Sequence, residues 1–358
     1  MPLRVLYIDD VRDDLDQYSE RLMRTRELEV DCRVPPEDMD IDPLLSLDPA
    51  LVLVDYDLTK LTDERTKAKY LGGSLLTLFR EKRPDLPLVL FTRKALWEKH
   101  SRVVESLDVL DDVVFKDAVE TDYRIVASHL ACLVRGFEQL RACNRTWPSL
   151  LNVLGAVSQV EEDLIRQAAP PMARSTWEVP QTARWIRRVL LAYPGIVYDA
   201  LHASVFLGLD TAAFSTSEVQ SLLKPARYDG CFSCDETRWW KSRLLDIAKT
   251  LELEKGLHGP INAVFREAFV PELTPSRCIY SKEVPADWVC YVQKAPVKMK
   301  FSLPYYVDNR PAVMDEARVS FEAILHSNEV DEDLLDAASK ATVQELRKRR
   351  WFGWNRAK

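Results

Sequence analysis

The sequence of 358 residues is long enough for two domains with separate cores, and its balance of 47% hydrophobic and 29% charged residues excludes a disordered or low-complexity chain. No apolar run of the ~18 residues that a membrane span needs is present, so no transmembrane helix is expected. The net charge of −7 is unevenly spread: residues 1–140 hold 20 basic and 29 acidic side chains, the remainder 29 and 27, and six of those bases sit in Arg347–Lys358. A DNA-binding output region would be basic over its whole surface, which makes nucleic acid a possible but not a favoured partner.

The start, MPLRVLYIDD, reads as a charged strand rather than a signal peptide. With no secretory signal, the seven cysteines read as reduced thiols of a cytoplasmic protein. In chain order, Val5–Ile8 is a short apolar run ending in Asp9 and Asp10. Val30–Val34 is a weaker strand, Leu51–Val54 ends in Asp55, Leu88–Phe91 ends in Thr92, and Val113–Phe115 ends in Lys116. Continuous apolar runs bounded by polar residues are the pattern of parallel strands buried on both faces. Leu15, Tyr18 and Leu22 share one face of an intervening helix, and Leu75, Leu78 and Phe79 share a face of another. Trp97–Leu107 reads as a third helix. Repeated βα units predict a doubly wound five-stranded parallel sheet with its ligand at the carboxyl ends of the strands.

Those ends carry the chemistry. Asp9, Asp10 and Asp55 converging in one crevice would repel one another without a cation, and hard oxygen ligands with room for water suit Mg²⁺. A lysine and a hydroxyl opposite them suit a phosphoryl group. On these residues, Leu3 to about Leu140 resembles the response-regulator receiver family. The resemblance implies a flavodoxin-like receiver fold in which Asp55 is the phospho-acceptor. It further implies that Asp9 and Asp10 hold Mg²⁺ together with Asp55 and the backbone carbonyl of Asp57, that Thr92 contacts the phosphoryl group, and that Lys116 pairs with it. The phosphoryl donor would be a phosphohistidine on a histidine kinase or phosphotransfer protein.

The sequence departs from the family's pattern at several points. Arg93 replaces the usual small residue after Thr92, and Asp117 replaces the usual proline after Lys116. Val113 occupies the place of the switch aromatic, with Phe115 the nearest ring. The charged stretch Thr59–Leu71 lengthens the loop after Asp55. A pseudo-receiver that keeps the fold as a docking platform therefore stands beside the phosphorylated receiver as an alternative.

Val126, Leu130, Leu133, Phe137 and Leu140 form a heptad-like stripe. It either packs on the sheet or continues as a signalling helix or homodimer seam. His129 and Cys132 on this helix read as packing residues. The first domain is placed at residues 1–142 and an α-rich output domain with a small β element at 143–358. In that part Trp147–Ala168, Ala200–Leu209, Ser217–Leu223, Ala312–Leu325 and Glu332–Arg350 read as helices. A further helix contains Trp240, Leu244, Ile247 and Leu251, with Ser233 and Glu236 as a capping box at its start. RCIYS, WVCYV and VKMKFSLPYYV read as strand pieces.

Three features of this part bear on function. Cys231 and Cys234 form a C-x-x-C that reads as structural thiols, a zinc site or a redox pair. Arg184, Arg187 and Arg188 flank Trp185 on a helix that either touches the acidic first domain or reads DNA. The tail RKRRWFGWNRAK offers cations and aromatics to a partner or its own domain, or to nucleic acid. The sequence thus predicts a receiver controlling a protein-binding output. A DNA-binding regulator and a receiver fused to an enzyme of unfamiliar type are the alternatives, the last favoured by a pocket lined with several acids or histidines.

Overall fold

The apolar runs of the N-terminal region become strands because each is buried on both faces. Val5–Ile8 and Leu51–Val54 are fully inaccessible, and Leu88–Phe91 nearly so. The structure, a computed structural model, describes residues 2–59, 68, 70–100, 109–170, 177–268 and 273–353. The chain forms two compact units. The first comprises Met1–Gly155, Pro170–Ile186 and Gly230–Asp235; the second comprises Ala156–Ala169, Arg187–Asp229 and Glu236–Lys358. The single cut after residue 142 read from the sequence thus becomes a division in which two later segments join the first unit.

In the first unit, β1 (Leu3–Ile8), α1 (Arg12–Met23), β2 (Leu28–Arg33), α2 (Asp42–Leu45), β3 (Leu51–Val54), α3 (Gly72–Lys82), β4 (Leu88–Thr92), α4 (Lys94–His100), β5 (Asp112–Phe115) and α5 (Lys116–Ala142) follow in order. The strands form one all-parallel sheet in the order β2-β1-β3-β4-β5, the doubly wound arrangement predicted. Leu15, Tyr18 and Leu22 of α1 and Leu75, Leu76 and Phe79 of α3 are buried. Leu78, expected on the buried face, is only partly so. The helix expected over Trp97–Leu107 begins at Lys94; its second half lies outside the described residues, as does most of the lengthened loop after Asp55.

Helix α5 breaks its regular geometry at Asp122, where φ is −152° and ψ 90°. Its stripe of Val126, Leu130, Leu133, Phe137 and Leu140 is buried against elements of its own unit, among them α1 and α6 (Trp147–Leu154). The packing reading therefore holds, and the stripe is not an open homodimer seam. The 22-residue helix expected over Trp147–Ala168 is two helices. Gly155 takes the left-handed conformation (φ 73°) that closes α6, and Ser158 and Glu161 form a capping box that opens a new helix at Gln159–Ala168.

The returning segments dock onto α5 through specific contacts. Cys132 and Cys234 form a disulfide with Cα atoms 5.6 Å apart. His129 bonds Asp112 at 2.6 Å and Asp235 at 2.7 Å through its two ring nitrogens. Gly136 has no space for a side chain, because a Cβ there would lie 2.1 Å from the Phe232 ring. The reading of all cysteines as reduced thiols is corrected here, and so is the reading of His129 and Cys132 as mere packing residues. Cys234 and Asp235 lie about a hundred residues away in sequence, so local spacing carried no sign of them. The C-x-x-C is not a redox pair, since Cys231 is buried and donates its thiol to the Gly136 carbonyl.

The second unit is built on the helices Gln159–Ala168, Ala200–Phe206, Thr211–Phe214, Ser217–Leu222, Lys241–Lys255 and Ile261–Ala268, with three two-stranded antiparallel pairs. Glu161, 1% exposed, accepts hydrogen bonds from the Arg243 guanidinium at 2.8 and 3.0 Å, tying the first of these helices to the fifth. Several local expectations give way to tertiary packing. Helix Lys241–Lys255 starts after Trp240 without a side-chain cap, so Ser233 and Glu236 are no capping box for it. The helix expected over Ala312–Leu325 shrinks to Phe321–His326 because Arg318–Ser320 pairs as a strand with Ser302–Pro304. RCIYS forms no strand, and the last helix spans Ala337–Gly353. Residues 354–358 of the aromatic basic tail lie outside the described residues.

Candidate functional site

The strand order brings the ends of β1, β3, β4 and β5 to one crevice, because β1 and β3 are adjacent central strands and each chain leaves the sheet at the same edge. Asp9, Asp10, Asp55, Asp57, Thr92 and Lys116, all expected from the sequence, line this crevice of about 250 Å³. Asp9, Asp10 and Asp55 each offer a carboxylate oxygen within 4.8 Å of the others, and they are the only such group among the described residues. The Lys116 ammonium sits 2.8 Å from Asp55 and 2.7 Å from Asp9. It also lies 2.9 Å from Asp14, a residue that sequence reasoning missed. Asp14 belongs to the first turn of α1 and would look like an ordinary N-terminal helix acid; its position five residues after Asp9 was the available signal.

Two of the carboxylates are oriented by fixed donors. Asp55 Oδ2 accepts the Asp57 backbone N–H at 2.8 Å, and Asp9 Oδ1 accepts that of Val11 at 2.9 Å. Tyr7, also missed, donates its hydroxyl to Asp9. Burial and the Asp9 charge push the Tyr7 phenol far above its ordinary range, so it remains a donor. The Asp57 side chain accepts from the Thr59 N–H and hydroxyl. Gly72 opens α3 against the back of the site. A Cβ there would lie 1.9 Å from the Asp55 carbonyl oxygen, so the close approach admits only glycine.

The charges do not balance within the crevice. Burial raises the Asp55 pKa to about 6 against the lowering influence of Lys116, with Asp9 adding to the rise. The ammonium pays the opposite desolvation cost, but Asp55 and Asp9 hold its pKa above the ordinary range, so it stays charged. Two Mg–O bonds of ~2.1 Å span at most ~4.2 Å. Closing a 4.8 Å cluster of carboxylate oxygens to that span needs only a small rotamer adjustment. The residues present therefore fit a divalent ion. Thr92 adds an independent sign of a ligand, since its buried hydroxyl has no hydrogen-bond partner among the described residues.

Two departures from the family pattern acquire roles here. Asp117 accepts the Lys94 N–H at 2.8 Å and so ties the start of α5 to the start of α4. Arg93 lies at the rim, 3.8 Å from Asp14 and 4.0 Å from Glu120, with Tyr18 within 3.4 Å. Val113 is only partly buried and carries no ring to the site, while Phe115 precedes α5 as its N-cap. Away from the crevice, Arg80 and Arg184 flank the buried Asp111, with Arg184 at 3.8 Å. Arg184 thus faces an acid of the first unit rather than solvent.

No family model and no curated protein matches this chain. Solved structures similar to part of it include the isolated REC domain of RcsB from Salmonella enterica serovar Typhimurium in the presence of phosphomimetic BeF3−. That structure is 20% identical, covers 38% of this chain and 91% of its own, and gives a TM-score of 0.29. A CheY-like response regulator receiver domain protein from Methanospirillum hungatei JF-1 is 19% identical, with 39% and 99% covered and a TM-score of 0.29. TrrA of Thermotoga maritima, in complex with Mg²⁺ and BeF, is 18% identical, with 34% and 96% covered and a TM-score of 0.26. By its own strand order, the first unit has the flavodoxin-like fold on which receiver domains are built.

Proposed function

We propose that the first unit is a phospho-accepting receiver that regulates the second. The observation that supports this reading best is the meeting of Asp9, Asp10 and Asp55 around one buried ammonium, beside an orphan Thr92 hydroxyl. Mg²⁺, held by Asp9, Asp10, Asp55 and the Asp57 carbonyl, would neutralise the charge on the transferring group. The Asp55 carboxylate oxygen attacks phosphorus in line, forming an acyl phosphate. The P–N bond of a phosphohistidine on a histidine kinase or phosphotransfer protein breaks as the bond to Asp55 forms, and the departing imidazole takes up a proton. Lys116 holds an equatorial phosphoryl oxygen, and Thr92 donates its hydroxyl to another. The output is a population shift of the β4–α4 and β5–α5 loops, which Asp117 already links.

A protein-binding second unit fits this scheme better than a DNA reader, because the second unit's bases are offset by its acids. No described helix is long and apolar enough to cross a membrane. The test is labelling by a small phosphoryl donor such as phosphoramidate in Mg²⁺. Wild type is expected to gain one alkali- and hydroxylamine-labile phosphoryl group and Asp55→Asn none. Equal labelling of the variant, or none of the wild type at saturating donor, overturns the assignment.

A further inference from the structure

The second unit contains a cavity of about 310 Å³, at the lower end of the size range for small-molecule sites. Its floor is fixed by backbone. The Asp315 N–H donates to the Pro194 carbonyl at 2.9 Å, the Lys241 N–H donates to the Ile196 carbonyl at 3.0 Å, and Val197–Tyr198 pairs with Trp239–Trp240. Gly195 sits at φ +146°, and a Cβ there would lie 2.7 Å from Asp315 N and Met314 Cα. The concavity is therefore formed by the fold and does not depend on how surface side chains happen to lie.

Rings supply much of the wall. Tyr198 and Phe206 meet edge to face at 5.5 Å, and Tyr193, Trp288 and Tyr291 also line the space. Each acid that lines it has a side-chain partner. Asp199 pairs with His202 at 2.8 Å, Asp315 with Lys241 at 2.6 Å, Asp287 with Lys298 at 3.7 Å, and Glu316 with Arg318.

Two lining cations are not neutralised. Lys294, in the turn between strands Trp288–Val289 and Pro296–Val297, has its ammonium 4.4 Å from the Tyr291 ring centre. Arg310 is steadied by Nη1 donating to the carbonyls of Met314 and Asp315 at 2.7 and 2.9 Å. Neither has a carboxylate within 4.0 Å among the described residues.

A preformed aromatic cavity that offers two cations with no carboxylate partner favours a flat ring that carries negative charge. We propose that this cavity binds a small planar anion, an aromatic or heteroaromatic ring bearing a carboxylate or phosphate, with the ring against the aromatic wall and the anion on Lys294 and Arg310. His202, whose Nδ1 is engaged by Asp199, presents its other ring nitrogen for one polar contact with the ring's substituents.

The test uses the full-length protein, with binding followed by calorimetry and tryptophan fluorescence. The probes are nucleoside 5′-monophosphates and two aromatic carboxylates, indole-3-acetate and 4-hydroxybenzoate. Uncharged nucleosides and inorganic phosphate serve as controls. The expected result is saturable one-to-one binding of a planar anion, at least about tenfold tighter than its uncharged counterpart or phosphate alone. Lys294 is exposed, so Lys294→Gln is expected to weaken binding about tenfold at an unchanged melting temperature. Response to the nucleotides alone or to the carboxylates alone supports the proposal and tells which anion is used. No binding of any probe up to about 1 mM, equal affinity for charged and uncharged probes, or an unaffected Lys294→Gln variant overturns it.

Discussion

The two concavities of this protein are built on opposite principles. In the first unit, an acidic crevice lies at the ends of four parallel strands, and its negative charge exceeds what Lys116 can balance. In the second, an aromatic cavity is enclosed by short strands, turns and parts of two helices, its acids are paired, and two cations have no carboxylate partner among the described residues. On the readings proposed above, the crevice takes a cation and a transferring group, and the cavity takes a planar anion. Repetitive architecture produced the first; irregular chain crossings produced the second.

The largest expected effect separates the two lysines. Lys116→Met leaves Asp9, Asp14 and Asp55 together without their ammonium, and a loss of about 3–5 kcal/mol in urea denaturation is expected, reduced when Mg²⁺ is added. Lys241, whose side chain is 34% exposed, bridges a single carboxylate, so Lys241→Met is expected to cost only about 1 kcal/mol with no Mg²⁺ effect. Equal losses for the two, or no response of Lys116→Met to Mg²⁺, would erase the electrostatic contrast.

A second pair sharpens the comparison of backbones. Gly72→Ala and Gly195→Ala both force a Cβ into main-chain atoms, and each is expected to cost about 2–3 kcal/mol. Only Gly72→Ala should also impair phosphoryl labelling, because it displaces Asp55. Gly256→Ala, with a positive φ of 64° but open space around it, is expected to cost about 1 kcal/mol and serves as the conformational control.

The smallest effect concerns pH. Burial disfavours the charged His129 ring, but hydrogen bonds to Asp112 and Asp235 outweigh it and raise the pKa to about 9. A raised folded-state pKa gives stability that is fully present below the unfolded value of ~6.5 and is lost as pH rises through about 9. The full shift would amount to about 3 kcal/mol, but the His129 side chain is 25% exposed and screened by solvent, so wild type should lose roughly 1 kcal/mol across that window relative to His129→Gln. Parallel pH profiles for the two proteins would remove the charged histidine from the first unit's stability.

The same contrast explains what the sequence made legible. Apolar runs ending in Asp9, Asp55, Thr92 and Lys116 announce both the sheet and the crevice, since a parallel strand delivers its next residue to a fixed edge. Tyr7 and Asp14 escaped notice because one lies inside a strand that looked uniformly apolar and the other in a helix turn rich in acids. Gly155 was overlooked as a helix stop inside an otherwise periodic run. The cavity of the second unit draws Tyr193, His202, Lys241, Lys294 and Arg310 from five separate stretches, and no local periodicity links them. The Cys132–Cys234 and His129–Asp235 contacts span more than a hundred residues and were equally invisible.

The return of Gly230–Asp235 to α5 has a practical consequence for anyone treating this protein as modular. A fragment ending near residue 142 would carry every acid of the crevice, yet it would uncover Phe137 and leave Cys132 without its mate. The first unit cannot be excised with one pair of scissors, nor joined to another domain by a simple splice. Whatever strains the Phe232 loop is felt directly by the helix that begins at Lys116.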